Sequence, residues 1–133
     1  MKAIPHFFVA VFMFFAVTLF ANSESGLGTF PPALSAAMKA GNATGVSNFF
    51  NSSVELVVLG DESVSSKNQA EMILKKFFEK NPPVNFSVMF EGGKDQSQYA
   101  IGKLVAKSGS FRVYFLIKGQ IIHQIRIEKE DGN

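Results

Sequence analysis

From Val84 to Glu128 the apolar side chains fall on every second residue. The first run places Val84, Phe86, Val88 and Phe90 in phase, a later one Phe111, Val113, Phe115 and Ile117, and the last Ile121, Ile125 and Ile127. Period-two alternation marks strands of an antiparallel sheet with one buried face, and the segment predicts four strands in a row. A single sheet leaves its apolar face wet unless a second layer covers it, so the helices upstream must be that cover.

Those helices have their own signals. Pro31-Pro32 opens a helix over Ala33–Ala40 with Leu34, Ala37 and Met38 on one face, and Gly41 supplies a left-handed stop. Asn42 is placed to cap a second short helix whose face is Val46, Phe49 and Phe50. Val54–Leu59 is a strand too apolar on both faces for an exposed edge, and Gly60-Asp61 turns it. Ser66 and Gln69 form a capping-box pattern, and Ala70, Ile73, Leu74, Phe77 and Phe78 then recur at helical spacing until Pro82-Pro83 forbids continuation. Each phenylalanine of that stripe is worth roughly 1.5–3 kcal/mol on full burial. Phe77 is expected beneath the sheet against Phe86 or Phe115.

Composition changes the picture at the N-terminus. Lys2, the apolar run Phe7–Ala21 and the exit Ala21-Asn22-Ser23 match a secretory signal peptide over residues 1–23, cut before Glu24. The alternative is an uncleaved anchor, but a run of about 15 residues is shorter than the roughly 20 that a membrane requires. Residues 24–31 then form a flexible leader, 32–128 a single domain and 129–133 a tail. The chain has 133 residues, with 13 basic and 11 acidic side chains, and removal of residues 1–23 takes away Lys2 and no acid. A near-neutral domain without a basic stripe excludes nucleic acid as the expected partner. With no cysteine there is no disulfide, thiol nucleophile or lipidation site at the cut, so burial alone must hold the fold.

The order helix, helix, strand, helix and four strands, with Ala40-Gly41-Asn42 between the first helices and Phe49-Phe50 before Val54-Glu55-Leu56, resembles the nuclear transport factor two-like, or cystatin-like, domains. Ser66-Lys67-Asn68-Gln69-Ala70-Glu71, Phe77-Phe78-Glu79-Lys80-Asn81-Pro82 and Tyr99-Ala100-Ile101-Gly102 are similar to a family of small secreted bacterial proteins of unknown function within that group. The resemblance implies an α+β fold: N-terminal helices packed on a strongly bent antiparallel sheet, cone-shaped, often with a pocket at the open end and a dimer made through the sheet. It implies no single chemistry, because the fold hosts isomerases, dehydratases and binding modules.

Candidate chemistry is sparse. His123, in phase with Ile121, Ile125 and Ile127, is either a pocket-facing general base or a hydrogen-bonded residue near the end of the sheet, and it has no partner at fixed spacing. Glu55 with Tyr99 could form an acid and oxyanion pair in one pocket, although alternation equally allows both to face outward; Asp61 and Tyr114 are the other residues of these types near the sheet. The expected pocket is lined by Phe49, Phe77, Phe90, Tyr99, Phe115 and His123. Glu91–Asp95 reads as a hairpin loop, since no helix follows to make a phosphate cradle. No metal and no cofactor is expected. On the outer face Met89, Tyr114, Leu116 and Ile122 exceed what a solvated sheet needs and predict a homodimer interface. The expected function is an exported non-enzymatic module that binds a small apolar ligand or a protein partner, touching the membrane only through its signal segment. The competing expectation is a small lyase or isomerase with an acid–base pair in the pocket.

Overall fold

The computed structural model describes residues 30–131; the signal segment 1–23, its cut before Glu24, the leader up to residue 29 and the end of the tail lie outside the described residues. Three helices, α1 (Pro32–Ala40), α2 (Ala43–Ser47) and α3 (Lys67–Lys80), accompany six strands. These are β1 (Phe50–Val58), β2 (Asp61–Ser66), β3 (Pro83–Lys94), β4 (Ser97–Ala106), β5 (Gly109–Lys118) and β6 (Ile121–Lys129). They form one curved, unclosed sheet in the order β2-β1-β6-β5-β4-β3, an α+β cystatin-like fold. Every neighbouring pair is antiparallel except β1 and β6, which run parallel. The helices cover the inner face, α1 against β3, α3 against β1 and β2, with α2 between α1 and α3.

The helix signals act locally as expected. Pro32 stands where no intrahelical donor is needed, and Gly41 at φ 68° returns its N–H to the last carbonyls of α1. At α3 both capping-box bonds form at 3.2 Å, from the Gln69 N–H to Ser66 Oγ and from the Ser66 N–H to Gln69 Oε1. The stripe then buries Ala70, Leu74, Phe77 and Phe78. Phe77, however, packs edge-on to Phe111 at 5.1 Å, not against Phe86 or Phe115. Those two rings take Phe30 instead, because α3 lies over β1 and β2 while α1 covers β3.

Two elements differ from expectation. The second helix stops at Ser47 and Phe50 opens β1, where the Ile122 N–H donates to the Phe49 carbonyl at 2.7 Å and draws the chain into the sheet. Leu59-Gly60 is a two-residue turn with φ 51° and 94°, and the polar stretch Asp61–Ser66 beyond it pairs back on β1 as an edge strand.

The decisive departures are bulges. On β3, Val84 and Met89 are each an extra residue relative to β4, since Pro83 pairs with Ala106 and Asn85 with Val105, then Val88 with Gly102 and Phe90 with Ile101. Phe86 faces the core and its ring lies over Gly102, where a methyl group would overlap it. Beyond Met89 the faces exchange: Phe90 is 55% exposed and Glu91 pairs with the buried Ala100. On β6, Ile122 pairs with Ile117 and Gln124 with Leu116, so His123 is the extra residue. Ile122 is therefore in the core rather than on the outer face, and Ile121 turns to solvent, as Val84 does. Glu91–Lys94 belongs to β3, and the turn is Asp95-Gln96.

The five-residue α2 is too short to hold itself, and a carboxylate on α3 secures it. Thr44 Oγ1 donates to Glu71 Oε2 at 2.7 Å and Ser47 Oγ to Oε1 at 3.0 Å. The Thr44 bond first, then that of Ser47, holds the Glu71 carboxyl below its ordinary value of 4.5. A depressed carboxyl pKa contributes stability that is complete above the unfolded value and lost as pH falls through the folded one. Glu71→Ala should therefore lower Tm at pH 7, and the gap to the parent should narrow as pH falls below about 4.5. Thermal scans across that range check it; a gap unchanged down to pH 3 would show that the two hydroxyl bonds do not secure α2.

Candidate functional site

Among the described residues, concave features lie on opposite sides of the sheet, a cleft and a groove, and neither is the pocket expected from the sequence. The first is a cleft of about 520 Å³ between α3 and the β1–β2 hairpin. Its apolar wall is Leu56 and Val58 from β1 with Ile73 and Phe77 from α3. Period-two alternation on β1 points Leu56 and Val58 the same way, and helical spacing stacks Ile73 beside Phe77. The rim is charged: Asp61 and Glu62 start β2, and Lys76, Glu79 and Lys80 come from the last turns of α3. Leu59, half exposed at the tip of the hairpin, closes one end. Among the described residues no ion pair involves this rim.

The second is a shallow groove of about 350 Å³ on the outer face, lined by Tyr99, Tyr114, Leu116, Gln124, Arg126 and Glu128. Register explains the line-up. Glu55, Gln124, Leu116 and Tyr99 occupy one row across β1, β6, β5 and β4, and Arg126, Tyr114, Ile101 and Phe90 the next row across β6, β5, β4 and β3. Side chains on one face of neighbouring strands sit about 5 Å apart, so Phe90, Tyr99, Ile101, Tyr114 and Leu116 form a continuous apolar patch. Ion pairs flank it, Arg126 to Glu128 at 3.0 Å and Arg112 to Glu130 at 3.0 Å, with Lys103 reaching Glu130 at 3.7 Å. Glu130 foremost, then Tyr114, raises the Arg112 guanidinium above its usual value.

The residues singled out for chemistry are dispersed. Glu55 and Tyr99 both face outward, three strands apart in one row, roughly 14 Å at the usual strand spacing. His123 is the half-buried bulge residue of β6. Asp61 lies at the cleft rim and Tyr114 on the outer patch. Of the expected pocket lining, Phe77 reaches the cleft, Phe115 is core, Phe49 is half-buried beside Ile122, and Phe90 and Tyr99 are outside. Of the expected interface, Tyr114 and Leu116 lie on the patch and Met89 is exposed at the β3 bulge, while Ile122 is buried. Among the described residues no group of three His, Asp or Glu is placed to hold a metal ion, and no helix is long and apolar enough to cross a membrane. The cleft escaped sequence reasoning because its outer wall is β2; the signal that could have found it is Leu59-Gly60, a two-residue spacer of the kind hairpins use.

Comparison with known proteins gives the family and the fold. A family model described as a domain of unknown function, DUF4783, matches residues 32–128. The chain is similar to a DUF4783 family protein from Bacteroides ovatus, at 33% identity and TM-score 0.73 over 77% of this chain and 96% of that one. It shares its fold with an uncharacterised cystatin-like protein from Silicibacter pomeroyi, TM-score 0.59 at 9% identity over 80% of this chain and 77% of that one. An NTF-2 like protein of unknown function from Burkholderia xenovorans matches at TM-score 0.56 and 12% identity, over 76% of this chain and 80% of that one. No curated protein matches the chain.

Proposed function

The chain belongs to the DUF4783 family, whose fold is NTF2-like and cystatin-like and whose function is unknown, and from that premise we propose that it acts by binding, as an exported module. The observation that carries this reading is the cleft between α3 and the β1–β2 hairpin. Its volume lies in the range of small-molecule sites, its wall is apolar, and its ionisable groups are confined to the rim. Such a cleft takes an apolar body about the size of one or two fused rings, with a polar end left at Lys76, Lys80, Asp61 or Glu62. The enzyme reading needs two ionisable or hydrogen-bonding groups converging on one cavity, and Glu55 with Tyr99 is too widely separated to supply them.

A second reading concerns the outer face and is favoured by the patch from Phe90 to Leu116. Large contiguous apolar patches rimmed by charge mark interfaces, and we propose a two-fold homodimer through this face. Arginines and glutamates border the patch at its β5–β6 corner, so a two-fold axis there can set the arginines of one copy against the glutamates of the other.

Three measurements test these readings. For the cleft, anilinonaphthalene sulfonate should bind the parent; Val58→Trp, which fills the cleft, should weaken it at least about tenfold, or about 1.4 kcal/mol, while Tyr99→Ala leaves it unchanged. Failure of the parent to bind, or equal binding by Val58→Trp, would remove the cleft as the site. For the outer face, Leu116→Glu should convert a dimer seen by light scattering into a folded monomer, and a parent that is monomeric at tens of micromolar rules the interface out. For export, N-terminal mass analysis of protein recovered outside the cytoplasm should give a chain starting at Glu24; intact Met1 in the membrane fraction contradicts it.

A further inference from the structure

Phe30 is 6% exposed, yet it belongs to no helix or strand. Its ring packs edge-on to Phe115 at 5.0 Å and tilted on Phe86 at 5.9 Å, while Phe86 and Phe115 themselves stand 6.3 Å apart and nearly perpendicular. Two walls of an aromatic slot are thus supplied by β3 and β5, and the third ring is that of the residue just ahead of Pro31-Pro32 and α1. What tethers it is a side chain rather than a ladder: the Phe30 N–H donates to Glu91 Oε1 at 3.0 Å. The same oxygen accepts from Gln98 Nε2 at 3.1 Å, and Gln98 is 9% exposed. Pro31 and Pro32 follow and carry no N–H, so they donate to no strand, while the Pro31 carbonyl accepts from the Leu34 and Ser35 N–H groups at 3.0 and 3.1 Å and opens α1 directly behind Phe30.

Glu91 faces this slot only because Met89 is an extra residue in β3. Bulges re-aim side chains, and here the bulge sets an exposed carboxylate on the helix side of the sheet, at the mouth of an aromatic slot. A buried glutamine that spends its donor on that carboxylate fixes its orientation. A carboxylate held in this way accepts any N–H offered with an aromatic ring at the spacing Phe30 provides. The slot and the carboxylate together recognise a chemical pattern, and Phe30 is the copy of it that the chain carries.

We propose that the Phe86–Phe115 slot with Glu91 is a binding site for an aromatic ligand bearing an amide N–H, and that Phe30 is its resident, displaceable occupant. The site is distinct from the α3 cleft and does not depend on it. A ligand must compete with Phe30, so its apparent affinity is its intrinsic affinity multiplied by the fraction of time Phe30 is away.

N-acetyl-phenylalanine amide, which has the ring and N–H of Phe30, tests the proposal by titration calorimetry on the full chain. Phe30→Gly should bind it at least about tenfold more tightly than the parent. Adding Glu91→Gln should weaken that binding again, and N-acetyl-alanine amide should not bind. A folded Phe30→Gly that binds the probe no better than the parent overturns the proposal. Should Phe30→Gly not fold, amide exchange on the parent decides: the Phe30 N–H should exchange by local opening, faster than the Val113 and Ile125 amides. Exchange of Phe30 only at the rate of those strand amides makes it a fixed part of the core and sinks the idea.

Discussion

A strand offers its side chains only two directions, and the places where this sheet takes in an extra residue decide which of them reach the core. Met89 in β3 and His123 in β6 each reverse the alternation beyond them. Without the first, Phe90 would point inward and Glu91 away from Phe30. Without the second, Ile122 could not share the core with both Ile125 and Ile127. The outer patch, the aromatic slot and the packing of β1 on β6 all follow from these two insertions.

Much of the fold was legible because its signals are local. Ser66 and Gln69 announce the start of α3, Gly41 the end of α1, and the stripe Ala70, Leu74, Phe77 and Phe78 the face that is buried. What alternation could not reveal was where it would be interrupted. Val84 to Phe90 reads as one unbroken inner set, yet two bulges leave only Phe86 fully buried and Val88 half-buried. A bulge is fixed by what the partner strand and the covering helix demand, and neither is visible in a single run of residues.

The sites were less legible for the same reason. The expected pocket relied on unbroken phase in β3, and the Met89 bulge moved Phe90 outside; Tyr99 faces outward by the regular alternation of β4, and Phe30, read as part of a leader, moved in. The cleft depends on β2, whose sequence Asp61–Ser66 is polar but for Val64, and Val64 is 74% exposed. A strand that buries almost nothing leaves no hydrophobic trace. It is held by its pairing with β1 and by the short turn that delivers it.

The parallel pairing of β1 with β6 joins Phe50 to Ile122 and Val58 to Ile127, almost opposite ends of the domain. Contacts so distant in sequence are slow to form, because most of the chain must be ordered as a closed loop before they repay its entropy. On a ribosome, β1 emerges long before its partner exists, and β1 to β5 can assemble only as a hairpin and a separate three-stranded meander until Ile121–Lys129 is made. The last strand is thus the keystone of folding: its arrival between β1 and β5 converts two fragments into one sheet. Before β6 arrives neither fragment can close the sheet, so this one strand links the two halves.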